Sequence, residues 1–295
     1  MRITVFGAGA VGSVVGGLLS RGHMVTLIAR KEHVNAINDD GLHLTKLVDE
    51  IFHPEARASV RGMGAQDLVL ITTKAYDTVE AVNEIRPLVG ESTLIVSLQN
   101  GLGNLEVLSD AFGPRAAMGV PFLGATYLGP GQVLLAGLGE ITVGHINGDM
   151  GKATAVRDVL SNAGMISRAV ENIQPRIWMK AIVNASINPI TALIKKENGS
   201  ILRSEPLLDL SRSACLEGAR AARANGVCFG ADDPFQTLLE VLRTTATNRS
   251  SMLQDVERSK RTEIDEITGE LVRRGEGEGL PMPVNRTLWA LVRSL

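Results

Sequence analysis

The sequence predicts an α/β protein: an N-terminal, doubly wound parallel sheet followed by an all-helical C-terminal domain. Three observations carry this. The first thirty residues read strand, glycine-rich turn, helix, strand. Two more apolar runs follow at 68–74 and 93–100, joined by a helical pattern. Beyond residue 163 the strand signals all but vanish.

Taken in order, "RITVF" (2–6) is a buried strand and "GAGAVG" (7–12) the turn. "SVVGGLLSRG" (13–22) is an apolar helix with Gly22 as its C-cap, and "MVTLIAR" (24–30) is the second strand. "LVLITTK" (68–74) and "TLIVSLQN" (93–100) are further strands, with "TVEAVNEIRPLV" (78–89) as the crossover helix. Such alternation predicts a parallel sheet. "GPGQVLLAGLGEITVGHI" (129–146) reads as a hairpin of two short strands around Gly137 to Gly139, and 152–163 as a short helix. Helices then follow over 176–194, 206–225, 234–246, 250–274 and 285–295, which places the domain boundary near 165–172.

A chain of 295 residues has room for two cores. With 44% hydrophobic residues, 21% charged residues and a formal net charge of −2, it has the composition of a soluble globular protein. Nothing in it suggests general attraction to nucleic acid or to an anionic membrane, so an anionic ligand would need a local basic site. A strand begins at once, leaving no room for a signal peptide, and no uninterrupted apolar run reaches membrane-spanning length. The expected location is cytoplasmic. Cys215 and Cys228 have neither metal-ligand spacing nor a secretory context, and are expected to be buried thiols.

GxGxxG alone is weak, but here it follows a strand and opens a helix, the context a dinucleotide requires. Gly7 permits the tight turn, Gly9 lets a pyrophosphate approach the backbone, and Gly12 lets helix pack on strand. The amides of Ala8, Ala10 and Val11 complete the candidate cradle, and the helix N-terminus favours phosphate. Where an NAD site usually carries an acid, this chain has Arg30 and then Lys31. A guanidinium grips a 2′-phosphate that a carboxylate would repel, so the expected cofactor is NADP(H). Lys74 and Asn100 fall at the C-terminal ends of predicted parallel strands, the edge where such sheets bind ligands.

"RIWMKAIVNASINPITA" (176–192) is an apolar helix interrupted by Lys180, Asn184 and Asn188 at steps of four, which puts them on one stripe. A reductase needs a proton donor for the oxygen that gains charge when hydride reaches carbon. All five histidines (His23, His33, His43, His53 and His145) lie in the first half, none in a catalytic-looking frame. Lys180 suits the role of donor or of substrate-carboxylate anchor, with the asparagines as substrate contacts. The same pattern also fits a lysine that snorkels to water and asparagines that cap or kink the helix, since Asn188 precedes Pro189. In "NRSSMLQDVERSKRTEIDEITGELVRR" (248–274), Met252, Val256, Ile264, Ile267 and Leu271 form an apolar face, suited to internal packing or to a homodimer contact. Ser251 and Glu263 fall about 120° apart on an ideal helix, so spacing alone does not bring them into one site.

From end to end the chain resembles the ketopantoate reductase (2-dehydropantoate 2-reductase) family. "GAGAVG", "TTKAYD", "SLQNGLGN", "WMKAIVNASINPITA" and "SSMLQDVERSKRTEIDEITG" carry the resemblance, in matching order and separation. It implies an NADP-binding Rossmann-type domain over 1–168, a helical substrate and catalytic domain over 169–295, and an active site in the cleft. It implies NADPH-dependent reduction of 2-dehydropantoate to (R)-pantoate, a step toward pantothenate and coenzyme A, with Lys180 as general acid. Asn100, Asn184, Asn188, Asn198 and Ser251 would contact substrate, as would Lys180. Glu263 would bond the nicotinamide ribose and help position Lys180. Arg30, Lys74 and Asn100 would touch the cofactor, with Ala125 nearby. The stretch "MGVPFLGATYLGPGQV" (118–133) varies among family members, and some relatives reduce other 2-oxo acids.

Overall fold

The computed structural model describes residues 1–295. Its contacts divide the chain into two compact units. One comprises Met1–Gln99 with Asn104–Ile173, the other Asn100–Gly103 with Gln174–Leu295.

The first unit begins with β1 (Arg2–Phe6), α1 (Ala10–Leu19), β2 (Met24–Ile28) and α2 (Lys31–Asp40). It continues through β3 (Leu42–Lys46), β4 (Glu50–Phe52), β5 (Glu55–Arg57), β6 (Leu68–Ile71), α3 (Thr78–Glu84), β7 (Leu94–Ser97) and α4 (Asn104–Phe112). β8 (Ala116–Gly129), β9 (Gln132–His145), α5 (Met150–Asn162) and β10 (Ser167–Val170) complete it. One ten-stranded sheet results, ordered β4-β3-β9-β8-β7-β6-β1-β2-β5, with β10 also on β9. β5, β2, β1, β6, β7 and β8 are mutually parallel. β1, β6 and β7 are apolar runs because helices cover both faces, and residues such as Val5, Leu70 and Val96 are fully buried.

Two expectations fail here. The hairpin turns at Pro130–Gly131, not at Gly137–Gly139, and joins two strands of 14 residues each. Gly131 takes φ +71°, which the turn requires. Gly137 lies inside β9 opposite Gly124, where the ladder slips register, and a Cβ on Gly124 would come 3.1 Å from the Gly137 nitrogen. Strand structure also persists past residue 163: β10 pairs in parallel with Ile141–Gly144, while β3 uses Gln132–Leu135 of the same long strand.

The second unit is helical: α6 (Gln174–Ile194), α7 (Glu205–Ala224), α8 (Pro234–Thr244), α9 (Ser251–Glu257), α10 (Glu270–Gly277) and α11 (Pro283–Arg293). α6 is its core. It is long and apolar enough to cross a bilayer, yet 78% of its apolar window is buried inside the fold. It does not break at Asn188. Pro189 stays within the helix, where it removes the donor for the Ala185 carbonyl, and Ser211 of α7 donates to the adjacent Ser186 carbonyl at 2.8 Å. Glu217 of α7 is buried and accepts both the Val284 and Asn285 amides at 2.9 Å, capping the start of α11.

The single helix expected over 250–274 is instead α9, an irregular link, a π-helical turn over Asp265–Gly269, and α10. Ser259 takes φ +50° and the Lys260 amide bonds the Asp255 carbonyl at 2.8 Å, which ends α9. Trp289 packs directly on Gly269, where a Cβ would lie 2.8 Å from the ring, and its Nε1–H donates to Asp265 at 2.7 Å. The apolar face of this segment is used internally: Met252, Ile264 and Val292 pack with Ala192, and Val256 and Trp289 against them. Both cysteines are free thiols. Cys215 is buried, with burial pushing its thiol up to about 12, whereas Cys228 is exposed, contrary to expectation.

Candidate active site

In the first unit the glycine turn has the shape a phosphate cradle needs. Gly7 adopts φ +92°, and a Cβ there would sit 2.6 Å from the Thr73 nitrogen, so only glycine fits. Gly9, by contrast, is exposed and its absent Cβ would meet nothing nearer than the Gly7 carbonyl at 3.9 Å. No protein atom needs that space. The Gly7 and Ala8 amides are taken by the Ile28 carbonyl (3.0 and 2.8 Å), and the Gly9 amide bonds Gly7 O at 2.6 Å. Ala10, Val11 and Gly12 form the first turn of α1, whose amides have no intrahelical acceptor. Those three amides fit a pyrophosphate.

Arg30 ends the second strand's loop as the exposed N-cap of α2. Lys74 lies three residues past β6 rather than on it, before a single 3-10 turn at Ala75–Asp77. Ala125 is half-buried in β8 at the register slip. Sequence reasoning missed Gln99, which is buried and holds this edge together. Its Nε2 donates to Thr78 Oγ1 (2.9 Å), Thr73 Oγ1 (3.1 Å) and the Lys74 carbonyl (3.3 Å), while its Oε1 accepts from Ser97 (2.8 Å). Its place in an apolar run just before Asn100 was the available signal. Thr72 also went unread: it donates to Gly7 O at 3.0 Å and braces the turn.

In the second unit, three of the expected residues converge. Asn100 donates to Glu263 Oε2 at 3.3 Å, although 163 residues separate them. The link is enforced by backbone. Leu102 N–H donates to the Glu266 carbonyl at 3.0 Å, and Gly101, at φ +89°, lies so close that a Cβ would come 2.6 Å from that oxygen. Glu263 itself is buried; its carbonyl accepts the Ile267 amide at 3.0 Å, and the Gly269 amide on the Ile264 carbonyl at 2.9 Å is a π-type bond of the turn that follows. Local π-turns recur at functional sites because they re-aim one residue of a helix.

Lys180 is half-buried on α6. Burial lowers its pKa to about 8, against the upward pull of the Glu263 carboxylate. Asn184, one turn on, is half-buried and Asn188 is buried. Asn198 donates through Nδ2 to Thr245 Oγ1 at 3.0 Å, whereas its buried Oδ1 has no hydrogen-bond partner. Ser251 is exposed on the first turn of α9. Its neighbour Ser250 is the buried cap, bonding Leu253 N–H (3.1 Å) and Thr191 Oγ1 (2.8 Å). A lysine whose pKa is lowered to about 8 beside a buried carboxylate can donate a proton or hold an anionic substrate.

Residues 3–148 match the family described as ketopantoate reductase PanE/ApbA, and residues 172–295 match its C-terminal counterpart. The 2-dehydropantoate 2-reductase of Pyrococcus horikoshii is 38% identical over 100% of this chain and 97% of its own. The crystal structure of 2-dehydropantoate 2-reductase from Geobacter metallireducens superposes with a TM-score of 0.94 at 32% identity, covering 100% of this chain and 99% of that one. D-mandelate dehydrogenase, in its ternary structure with NADH and anilino(oxo)acetate, gives a TM-score of 0.94 at 25% identity, covering 100% and 98%. With both halves matched and full-length relatives above 30% identity, the chain belongs to the ketopantoate reductase family and is a nicotinamide-dependent oxidoreductase.

Proposed function

We propose that the protein reduces 2-dehydropantoate to (R)-pantoate with NADPH. The observation that carries this is Lys180, held at a pKa of about 8 beside the buried Glu263 to which Asn100 bonds. The residues of the glycine turn fit the cofactor, because space is left over Gly9 and three helix amides are free of backbone partners. NADPH, when bound, supplies the hydride to the C2 carbonyl carbon. The Lys180 ammonium gives its proton to the carbonyl oxygen, so the 2-oxo acid gains both hydrogens of the new alcohol. Glu263 keeps Lys180 charged against its burial, and Asn100 holds Glu263. Asn184, Asn188, Asn198 and Ser251 hold the substrate's polar groups. Arg30 and Lys74 take the cofactor's phosphate charge, with Ala125 near it.

The first test is NADPH oxidation with a panel of 2-oxo acids. The proposal stands if 2-dehydropantoate has the highest kcat/KM. D-mandelate dehydrogenase, similar over the full length, supports a second reading in which another 2-oxo acid is the substrate. Preference for an aromatic 2-oxo acid and for NADH would establish that reading instead.

Arg30→Ala removes a charge-assisted contact worth roughly 1.5–3 kcal/mol. KM for NADPH is expected to rise about tenfold to a hundredfold while NADH use changes little. Equal use of both coenzymes by the unaltered protein would count against the assignment. Asn184→Ala is expected to raise KM for the oxo acid about tenfold, as for one lost polar contact. Its dissociation constant for NADPH, followed by nucleotide fluorescence, should be unchanged. Weaker NADPH binding with a normal substrate KM would put the stripe on the wrong ligand.

A further inference from the structure

Of the five histidines that the sequence leaves without a role, His33 bonds the helix that follows the glycine turn. His33 is the third residue of α2, whose N-cap is Arg30. The residue is 2% exposed and both ring nitrogens are bound: Nε2 to Ser13 Oγ at 2.9 Å, and Nδ1 to the Gly131 N–H at 2.9 Å. The Gly131 amide can only donate, so Nδ1 is the unprotonated nitrogen, and Nε2–H donates to Ser13. Burial lowers the histidine's pKa, which keeps this neutral tautomer. Tyr127 packs edge-on, with ring centroids 5.0 Å apart.

Ser13 follows Gly12 directly on α1, and its hydroxyl reaches back to the Ala8 carbonyl at 3.4 Å. The imidazole therefore ties the turn carrying Arg30 to the turn carrying the pyrophosphate amides, with the Gly131 hairpin tip as a third support. A cofactor bearing both a pyrophosphate and a 2′-phosphate must match the spacing of these two turns. One with only the pyrophosphate need not.

We propose that His33 is a positioning residue for coenzyme choice, acting through Ser13 to fix Arg30 relative to the glycine turn. This rests on the reading that Arg30 holds the 2′-phosphate. The test compares kcat/KM for NADPH with that for NADH in the full-length protein. His33→Asn keeps an acceptor for Gly131 but loses Ser13, and Ser13→Ala cuts the same link from the helix side, where alanine is well tolerated. Each single change is expected to lower the NADPH/NADH ratio about tenfold, the size of one weakened phosphate contact. The double change should lower it no further, because both remove one link. With Arg30→Ala already present, neither should alter the ratio.

An equal loss for both coenzymes, or an unchanged ratio, overturns the proposal and leaves His33 as core packing. If Arg30→Ala itself leaves the ratio intact, the phosphate reading falls first and takes the proposal with it. If Arg30→Ala collapses the ratio while His33→Asn and Ser13→Ala do not, only the proposal falls.

Discussion

Lys180→Ala is expected to leave a folded protein that binds NADPH and turns over about 10² to 10⁴ times more slowly, the usual cost of a lost general acid. Single-turnover oxidation of bound NADPH isolates the chemical step and is the measurement to make. Lys180→Arg keeps the positive charge but is a far poorer acid. It should restore the oxo-acid KM more than kcat. A Lys180→Ala protein with near-normal kcat would mean that the lysine only snorkels and that the stripe on α6 is structural.

With Lys180 as the proposed donor, the same residue sets the expected pH profile. Only the ammonium donates, so the reductive rate should fall as pH rises through about 8, where burial has brought Lys180. Glu263 opposes that depression, so Glu263→Gln should move the alkaline limb to lower pH. A limb that stays in place would show that Glu263 does not act on the lysine.

What could be read from the sequence follows from how local each signal is. "GAGAVG" between strand and helix is a local pattern, and the structure realises it with Gly7 at positive φ. The stripe of Lys180, Asn184 and Asn188 is legible because helical periodicity alone makes it. The convergence of Asn100 with Glu263 is not. It depends on a break after α9, a π-turn at whose last residue, Gly269, Trp289 packs, and Gly101 pressed against the Glu266 carbonyl. None of these leaves a periodic trace. The strands β3, β4 and β5 leave no apolar run in the sequence because they lie toward the sheet's edges, where outward residues such as Glu50 and Glu55 are exposed. The hairpin was misplaced because glycines that permit close strand packing, Gly124 and Gly137, look in sequence like turn glycines. His33 and Gln99 were passed over for a related reason. Each acts through bonds to residues remote in sequence, and neither makes a pattern of its own.

A charged lysine held in an apolar helix should cost the fold something, and Lys180→Met should recover it. Lowering the ammonium from 10.5 to about 8 corresponds to roughly 3 kcal/mol at neutral pH, as an upper figure. The sign follows from proton counts. Between about pH 8 and 10.5 the unfolded chain holds a proton that the folded one has lost, so this site's contribution to stability rises with pH across that window. Below about 8 both states are protonated and the penalty is present in full. Lys180→Met removes the charge and keeps the length of an apolar stem. It should therefore be more stable than the unaltered protein at pH 7, by an amount that shrinks as pH approaches 10.5. Urea unfolding of both proteins at several pH values between 7 and 10.5 gives this difference, because titrating groups not coupled to Lys180 cancel between them. A Lys180→Met protein that is less stable at pH 7, by a margin independent of pH, would mean that the ammonium is a structural partner whose interactions outweigh its desolvation. A more stable but inactive variant would instead show that a depressed lysine is maintained for chemistry at the expense of stability.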